Sequence, residues 1–149
     1  FTEQFLDCLS HYHIPPKSIE LEIVESVLIH DLEMVKNTIS ELVDAGVGIA
    51  VDDFGTGYSS LAYLRDLPVT TLKVDRSFVM GLPSDIKGCN LLKALISLAS
   101  SLEMNVVVEG VETLEQLNLL RKIGCDAVQG YFINPPLTEE KFAKYLTRK

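Results

Sequence analysis

GIAVDDFGTGYSSLAYLRDLPVTTLKVD, residues 48 to 75, reads as a strand, a short helix and a second strand. Gly48-Ile49-Ala50-Val51 is an apolar run that enters Asp52-Asp53. A helix is predicted to start at Ser59 or Ser60 and to stop before Pro68, because proline disfavours helical geometry in the residue ahead of it. Thr71-Leu72-Lys73-Val74 is a β-prone run that ends at Asp75. Two strands joined through a helix call for parallel pairing, since a tight hairpin turn cannot connect parallel strands.

The same alternation continues on both sides. Upstream, Phe1, Phe5, Leu6 and Leu9 fall at helical spacing, and Pro15-Pro16 stops that helix. Ile19 to Val24 alternates apolar with acidic residues, as a strand does. Asp31 is an expected N-cap for a helix carrying Leu32, Val35, Ile39, Leu42 and Val43, closed by Gly46. Downstream, Leu91, Leu92, Leu95, Ile96, Leu98 and Leu102 predict a long buried helix. Asn105-Val106-Val107-Val108 is a strand ending at Glu109. Thr113 and Gln116 form a capping box for a helix with Leu114, Leu117 and Leu120, ended by Gly124. Asp126 to Gln129 is a fifth strand, and Thr138 caps a last helix with Phe142, Tyr145 and Leu146 on its inner face.

Strand ends therefore fall near residues 24, 52, 75, 108 and 129. Four carry acidic residues and the fifth carries Gln129. In an open sheet only the strands at a switch point face a ligand, whereas a barrel gathers every strand end at one mouth. Polar ends on all five favour the barrel. A closed (β/α)8 barrel takes about 250 residues, so 149 residues with five units predict an α/β fold that is a partial TIM-type barrel. With Phe1 in place of an initiator methionine, residues 1–149 are expected to be the C-terminal part of a single domain, with about the first three strands missing.

Composition narrows the function. The chain is 47% hydrophobic and 23% charged, an ordinary globular balance. Its net charge of −8 disfavours binding to duplex DNA or RNA, whose phosphates it repels. No apolar run approaches the roughly 18 residues that span a bilayer, so no membrane contact is expected from this segment. Cys8, Cys89 and Cys125 are odd in number and form no CxxC pair, which fits reduced thiols and a cytoplasmic setting.

Side chains alternate along a strand, so Lys73 and Asp75 share one face, as do Glu20 and Glu22. Apolar neighbours pack under the helices, which leaves the charged set facing the barrel axis. Glu22, Glu25, Asp52, Asp53, Asp75, Glu109 and Glu112 then crowd one mouth, and that many carboxylates need counter-charge. One acidic residue at a strand end is commonly a helix cap; five coordinated ends are not, although Glu112, beside the capping Thr113, is the weakest member. Lys73 supplies one positive charge. Hard oxygen donors without Cys or His suit Mg2+ or Mn2+ better than Zn2+, and two such ions bridged by a carboxylate form a common phosphodiester-cleaving device. The triplet Asp53-Phe54-Gly55 lacks the accompanying loops of a kinase, and Gly55-Thr56-Gly57 reads as a turn. His11 and His13 read as surface residues.

These blocks resemble the EAL domain, a bacterial phosphodiesterase family acting on cyclic di-GMP. ELEIVES (20–26), VDDFGTGYSSL (51–61), LKVDRSFV (72–79), VVVEGVET (106–113) and QGYFINPPL (129–137) match its motifs in order and spacing. The resemblance implies hydrolysis of cyclic di-GMP to linear pGpG at a two-metal site holding Mg2+ or Mn2+. By that resemblance Glu22 is a metal ligand and Asp52 bridges two metals. Asp53 and Glu109 are second-metal or water-orienting ligands, Lys73 positions the attacking water beside Asp75, and Gln129 closes the site. Glu25 is implied to anchor the loop Phe54, Gly55, Thr56, Gly57, Tyr58, Ser59 and Ser60, which in the family couples metal binding to dimer contacts.

The Glu-Ala-Leu motif is absent, as is the strand carrying the family's metal-binding Asn. Two expected ligands and much of the guanine-contacting wall are therefore missing, and the isolated chain is expected to be inactive or weakly active. The strands bearing Glu22 and Gln129 are expected to lack neighbours, which favours a homo-oligomer or a strand-exchanged dimer. Three functions remain open: part of a phosphodiesterase, a module that binds the nucleotide or a protein without hydrolysis, and a dimerisation piece acting through residues 54–60.

Overall fold

A computed structural model describes residues 1–25, 27, 32–55 and 61–147. The chain begins with α1 (Thr2–His11), which buries Leu9 and half-buries Phe5 and Leu6. Phe1 stays exposed, with its ring stacked 5.8 Å from that of Phe5. A 3-10 turn, Pro16–Ser18, leads into β1 (Glu20–Val24). Four further units follow: α2 (Leu32–Asp44) and β2 (Gly48–Phe54), α3 (Leu61–Asp66) and β3 (Thr71–Val74), α4 (Ile86–Ser101) and β4 (Asn105–Val108), α5 (Leu114–Ile123) and β5 (Ala127–Val128). The last described helix is α6 (Glu139–Leu146).

All four strand pairings are parallel and the sheet order is β1-β2-β3-β4-β5. Each strand adds beside its predecessor, with helical crossovers between. That is an α/β fold of consecutive βα units, as the alternation predicts, and it is consistent with part of a barrel.

One face of the sheet carries Ile49, Val51, Leu72, Val74, Val106 and Val108, all at most 1% exposed. Ile39 and Leu42 of α2, Leu92 and Ile96 of α4, and Leu117 and Leu120 of α5 belong to the same core. Burying an aliphatic side chain of this size contributes about 2 kcal/mol, so this helix-covered face holds the sheet together. The opposite face carries Glu22, Ala50, Asp52, Lys73 and Glu109, and it is the one that positions the site.

Several expectations need correction. Leu91 is 57% exposed and Leu114 is 50% exposed, so α4 and α5 use narrower apolar stripes than their leucine content suggests. Phe142, Tyr145 and Leu146 do not form an inner face: they are 51%, 43% and 65% exposed. That side of α6 borders an open cleft with Tyr131 and Pro135 instead of packing into the core. The fifth strand is also shorter than Asp126 to Gln129. Asp126 turns back to accept the Val106 N–H through Oδ2 at 2.8 Å instead of entering the sheet. Asp31, Ser59 and Ser60 lie outside the described residues. Gly46 does end α2, with φ +95° and its N–H bonded to Val43 O, and Gly124 ends α5 in the left-handed conformation.

Both outer strands have an open edge among the described residues. Beside β1, Phe1, Leu21, Ile23, Met34, Val35 and Ile39 line an apolar groove of about 450 Å3. At the other end, Tyr131, Pro135, Phe142 and Tyr145 line a cleft of about 380 Å3.

Candidate functional site

Lys73 sits near the C-terminal end of the central strand, so carboxylates reach it from both flanking directions. Its side chain is only 8% exposed. The Nζ atom lies 2.6 Å from Glu22 Oε1, 3.2 Å from Asp52 Oδ1 and 2.9 Å from Glu109 Oε1. The register explains the meeting. Lys73 is level with Val107, which puts Glu109 one step past the end of β4 on the same face, with its N–H bonded to Val74 O at 3.0 Å. Ala50 is level with both Glu22 and Thr71, so Asp52 arrives two residues further along β2, near Lys73.

Burial alone would push the Lys73 ammonium toward its neutral form. Hydrogen bonds to Glu22, Glu109 and Asp52 outweigh that penalty and raise its pKa well above the ordinary lysine value. In this arrangement the three carboxylates favour Lys73 as a charged donor. Three carboxylates against one ammonium leave a local excess of negative charge.

Asp53 does not join this cluster in the same way. The pairing of β2 with β3 shifts register between Val51 and Phe54, and Asp53 adopts φ +55° at that bulge. Its side chain is exposed, and its N–H donates to Asp52 Oδ1 at 3.0 Å, which helps fix the Asp52 carboxylate. Asp75 caps the 3-10 turn Arg76–Phe78, accepting the Ser77 N–H at 2.9 Å. Hydrogen bonding from Ser77, its side chain first, holds the Asp75 carboxyl below the usual range. Gln129 is exposed on the far side of β4, and its backbone O accepts the Val111 N–H at 3.1 Å. Glu112 is likewise exposed.

Glu25 is 3% exposed. Its Oε2 accepts the Gly55 N–H at 3.1 Å, and its own N–H donates to Asp52 O at 3.2 Å. Its Oε1 is buried without a hydrogen-bond partner among the described residues, a costly state for a carboxylate oxygen. Gly55 has φ +94°, and a Cβ there would lie 2.5 Å from the Phe78 ring. Glu25 and Phe78 thus both hold the start of the loop at Gly55, one by a hydrogen bond and one by close packing. Thr56, Gly57, Tyr58, Ser59 and Ser60 lie outside the described residues.

Residue-by-residue reading of the sequence did not single out Phe78, nor did it see that Gln116 reaches beyond its own helix. The signal available for Phe78 was its aromatic ring four residues after Val74, which strand periodicity does not interpret. Glu20 was placed on the charged face but not in the site; its carboxylate accepts a hydrogen bond from Thr71 Oγ1 lower in the sheet.

The chemistry of the donor set suits a hard divalent cation: Glu22, Asp52 and Glu109 offer only carboxylate oxygens, already gathered around one positive charge. Among the described residues, no three acidic, imidazole or thiolate side chains close on a common point as a finished metal cage. The carboxylates converge on the Lys73 ammonium.

The EAL domain family model matches residues 1–136. The cyclic di-GMP phosphodiesterase PA2567 of Pseudomonas aeruginosa is 43% identical over 148 residues, covering 99% of this chain and 25% of that protein. The solved EAL domain of Mycobacterium smegmatis DcpA superposes with a TM-score of 0.93 at 38% identity, covering 99% of this chain and 66% of the other. The PaMucR phosphodiesterase in its c-di-GMP complex gives 0.86 at 37% identity, with coverages of 91% and 55%. The chain thus spans a quarter of the length of that curated relative and 55% to 66% of these solved domains. Motif order, fold and the carboxylate cluster on successive strand ends agree with these matches: the chain belongs to the EAL domain family.

Proposed function

We propose that this chain contributes the C-terminal strands of a metal-dependent cyclic di-GMP phosphodiesterase that releases linear pGpG. The observation that carries this reading is the convergence of Glu22, Asp52 and Glu109, from three different strands, on the buried Lys73 ammonium. The similarity to proteins named as cyclic di-GMP phosphodiesterases supports the substrate.

In the reaction proposed, water adds to one phosphorus and the P–O3′ bond breaks, leaving a 5′-phosphate and a 3′-hydroxyl. Mg2+ or Mn2+, held by Glu22, Asp52, Asp53 and Glu109, would polarise the phosphoryl oxygen and lower the pKa of water. Lys73 orients the water by donation, since it keeps its proton. Glu109, bonded to Lys73, would accept a proton from that water, and the departing O3′ would take one from solvent. Asp75 and Gln129 border the substrate, and Glu25 anchors the loop that starts at Gly55. The cysteines Cys8, Cys89 and Cys125 form no disulfide, which is compatible with the cytoplasmic setting of this reading.

The open edges of β1 and β5 support a second reading. With no further strand beside β1 or β5 among the described residues, the chain alone would be inactive or weakly active and would associate with further copies or exchange strands with them. It would then act as a module that binds nucleotide or protein. A chromatographic assay with cyclic di-GMP in Mg2+, Mn2+ and EDTA separates the two. Metal-dependent pGpG from the chain alone refutes the incomplete-site expectation. No product with retained nucleotide binding favours the module, and loss of both leaves a portion of an enzyme that needs its remaining strands.

A further inference from the structure

We propose that Gln116 is a positioning residue that braces the loop carrying Glu109 and Glu112 against the turn that follows Lys73. Gln116 is 7% exposed, and its amide is used from both ends. Oε1 accepts the N–H of Glu112 at 2.8 Å and of Thr113 at 3.1 Å, while Nε2 donates to Val79 O at 3.1 Å. A capping box requires only the acceptor side. The bond to Val79 crosses 37 residues of sequence to a different loop and does nothing for the cap.

Both loops are buried or hydrogen-bonded where Gln116 joins them. Val79 is fully buried, and its N–H is bonded to Arg76 O in the turn that Asp75 caps. The other loop is tied at Glu109 N–H to Val74 O and at Val111 N–H to Gln129 O. Gly110 packs so closely that a Cβ would lie 2.3 Å from Arg76 Cβ. At the end of the loop next to α5, Thr113 accepts the Leu117 N–H and the Gln116 N–H, and the Gln116 amide adds the tie to Val79. Without it the segment from Gly110 to Thr113 can hinge, and Glu109 loses a fixed distance to Lys73.

The Gln116→Glu substitution separates the two roles in the full chain. Glutamate keeps the capping acceptor and is itself a usual capping-box residue, but it removes the donor and sets an oxygen against Val79 O. Exchange of backbone amides is followed by NMR, with Mn2+ affinity measured by titration calorimetry. The brace predicts faster exchange at Glu112 and Thr113 in the variant with α5 amides unchanged, and Mn2+ binding about 10-fold weaker. An added carboxylate would by charge alone tighten Mn2+ binding, so weakening reports geometry. Unchanged exchange at 112 and 113, or equal loosening of the whole chain, overturns the brace. Should the variant not fold, the unsubstituted chain decides: the brace requires Glu112 and Thr113 amides as protected as Val79, and loop-like exchange there refutes it. The Mn2+ arm rests on the metal reading proposed above. Absence of Mn2+ binding by the unsubstituted chain defeats that reading, and the exchange arm still judges the brace.

Discussion

Lys73 Nζ lies 2.6 Å from Glu22 Oε1 although their strands, β3 and β1, are not neighbours in the sheet. β2 runs between them, and the residue level with Glu22 on that strand is Ala50, fully buried. A methyl group is short enough for the two longer side chains to meet above it. The pair therefore depends on a third residue that carries no charge.

Ala50→Leu is expected to break this contact. The larger side chain would fill the space through which Glu22 and Lys73 approach, and overpacking of this kind costs about 2 kcal/mol. Thermal unfolding should fall, and the Lys73 Nζ NMR signal should shift to that of an ammonium with fewer acceptors. An unmoved Lys73 signal would show that Ala50 is not the spacer.

Lys73→Met leaves Glu22, Asp52 and Glu109 without their counter-charge. Removing one partner from a largely buried ion cluster costs about 3 kcal/mol. The loss should be large in EDTA and partly recovered in Mn2+, because a cation that binds only the folded state stabilises it by mass action. Melting curves in the two buffers measure the difference. Equal melting in both would count against metal binding by these carboxylates.

Gly130 and Gly124 should respond differently to alanine. A Cβ at Gly130 would lie 2.2 Å from Val111 O and 2.3 Å from Val111 N, backbone atoms that no rotamer change can move. Gly130→Ala should cost about 3 kcal/mol and disturb the Val111–Gln129 bond. At Gly124 the space is open and only the positive φ opposes a side chain, so alanine there should cost about 1 kcal/mol. Denaturant unfolding of both variants tests the order.

The Asp75–Ser77 contact should stabilise the chain in a pH-dependent way. Asp75 has a lowered pKa in the folded state, so its contribution is present above the ordinary carboxylate range and is lost as the pH falls through the lowered value. Ser77→Ala should therefore be less stable than the unsubstituted chain at neutral pH, with the gap closing in acid. Unfolding at several pH values, with NMR titration of Asp75, reads both.

Much of the architecture was legible because its signals are local. Thr113 with Gln116, Gly46 and Gly124 mark helix ends through bonds and φ angles within a few residues. The runs at 48–51, 71–74 and 105–108 mark strands by β-prone, alternating side chains. Helix faces were less legible. Leu91 and Leu114 count as apolar in any periodicity, and only the packing of α4 and α5 shows that they face outward.

The sequence by itself determined the βα repeat, the family resemblance and the set of acidic residues at the strand ends, since each is written in neighbouring positions. Tertiary structure decided which of those residues meet. Glu22, Asp52 and Glu109 reach Lys73 because parallel register steps them along one sheet face, below, beside and above its long side chain. A bulge shifts the register at Asp53, and a turn engages Asp75 as its cap. Register and bulges arise from pairing between distant segments, and adjacent Asp52 and Asp53 carry no local sign of which one will meet Lys73.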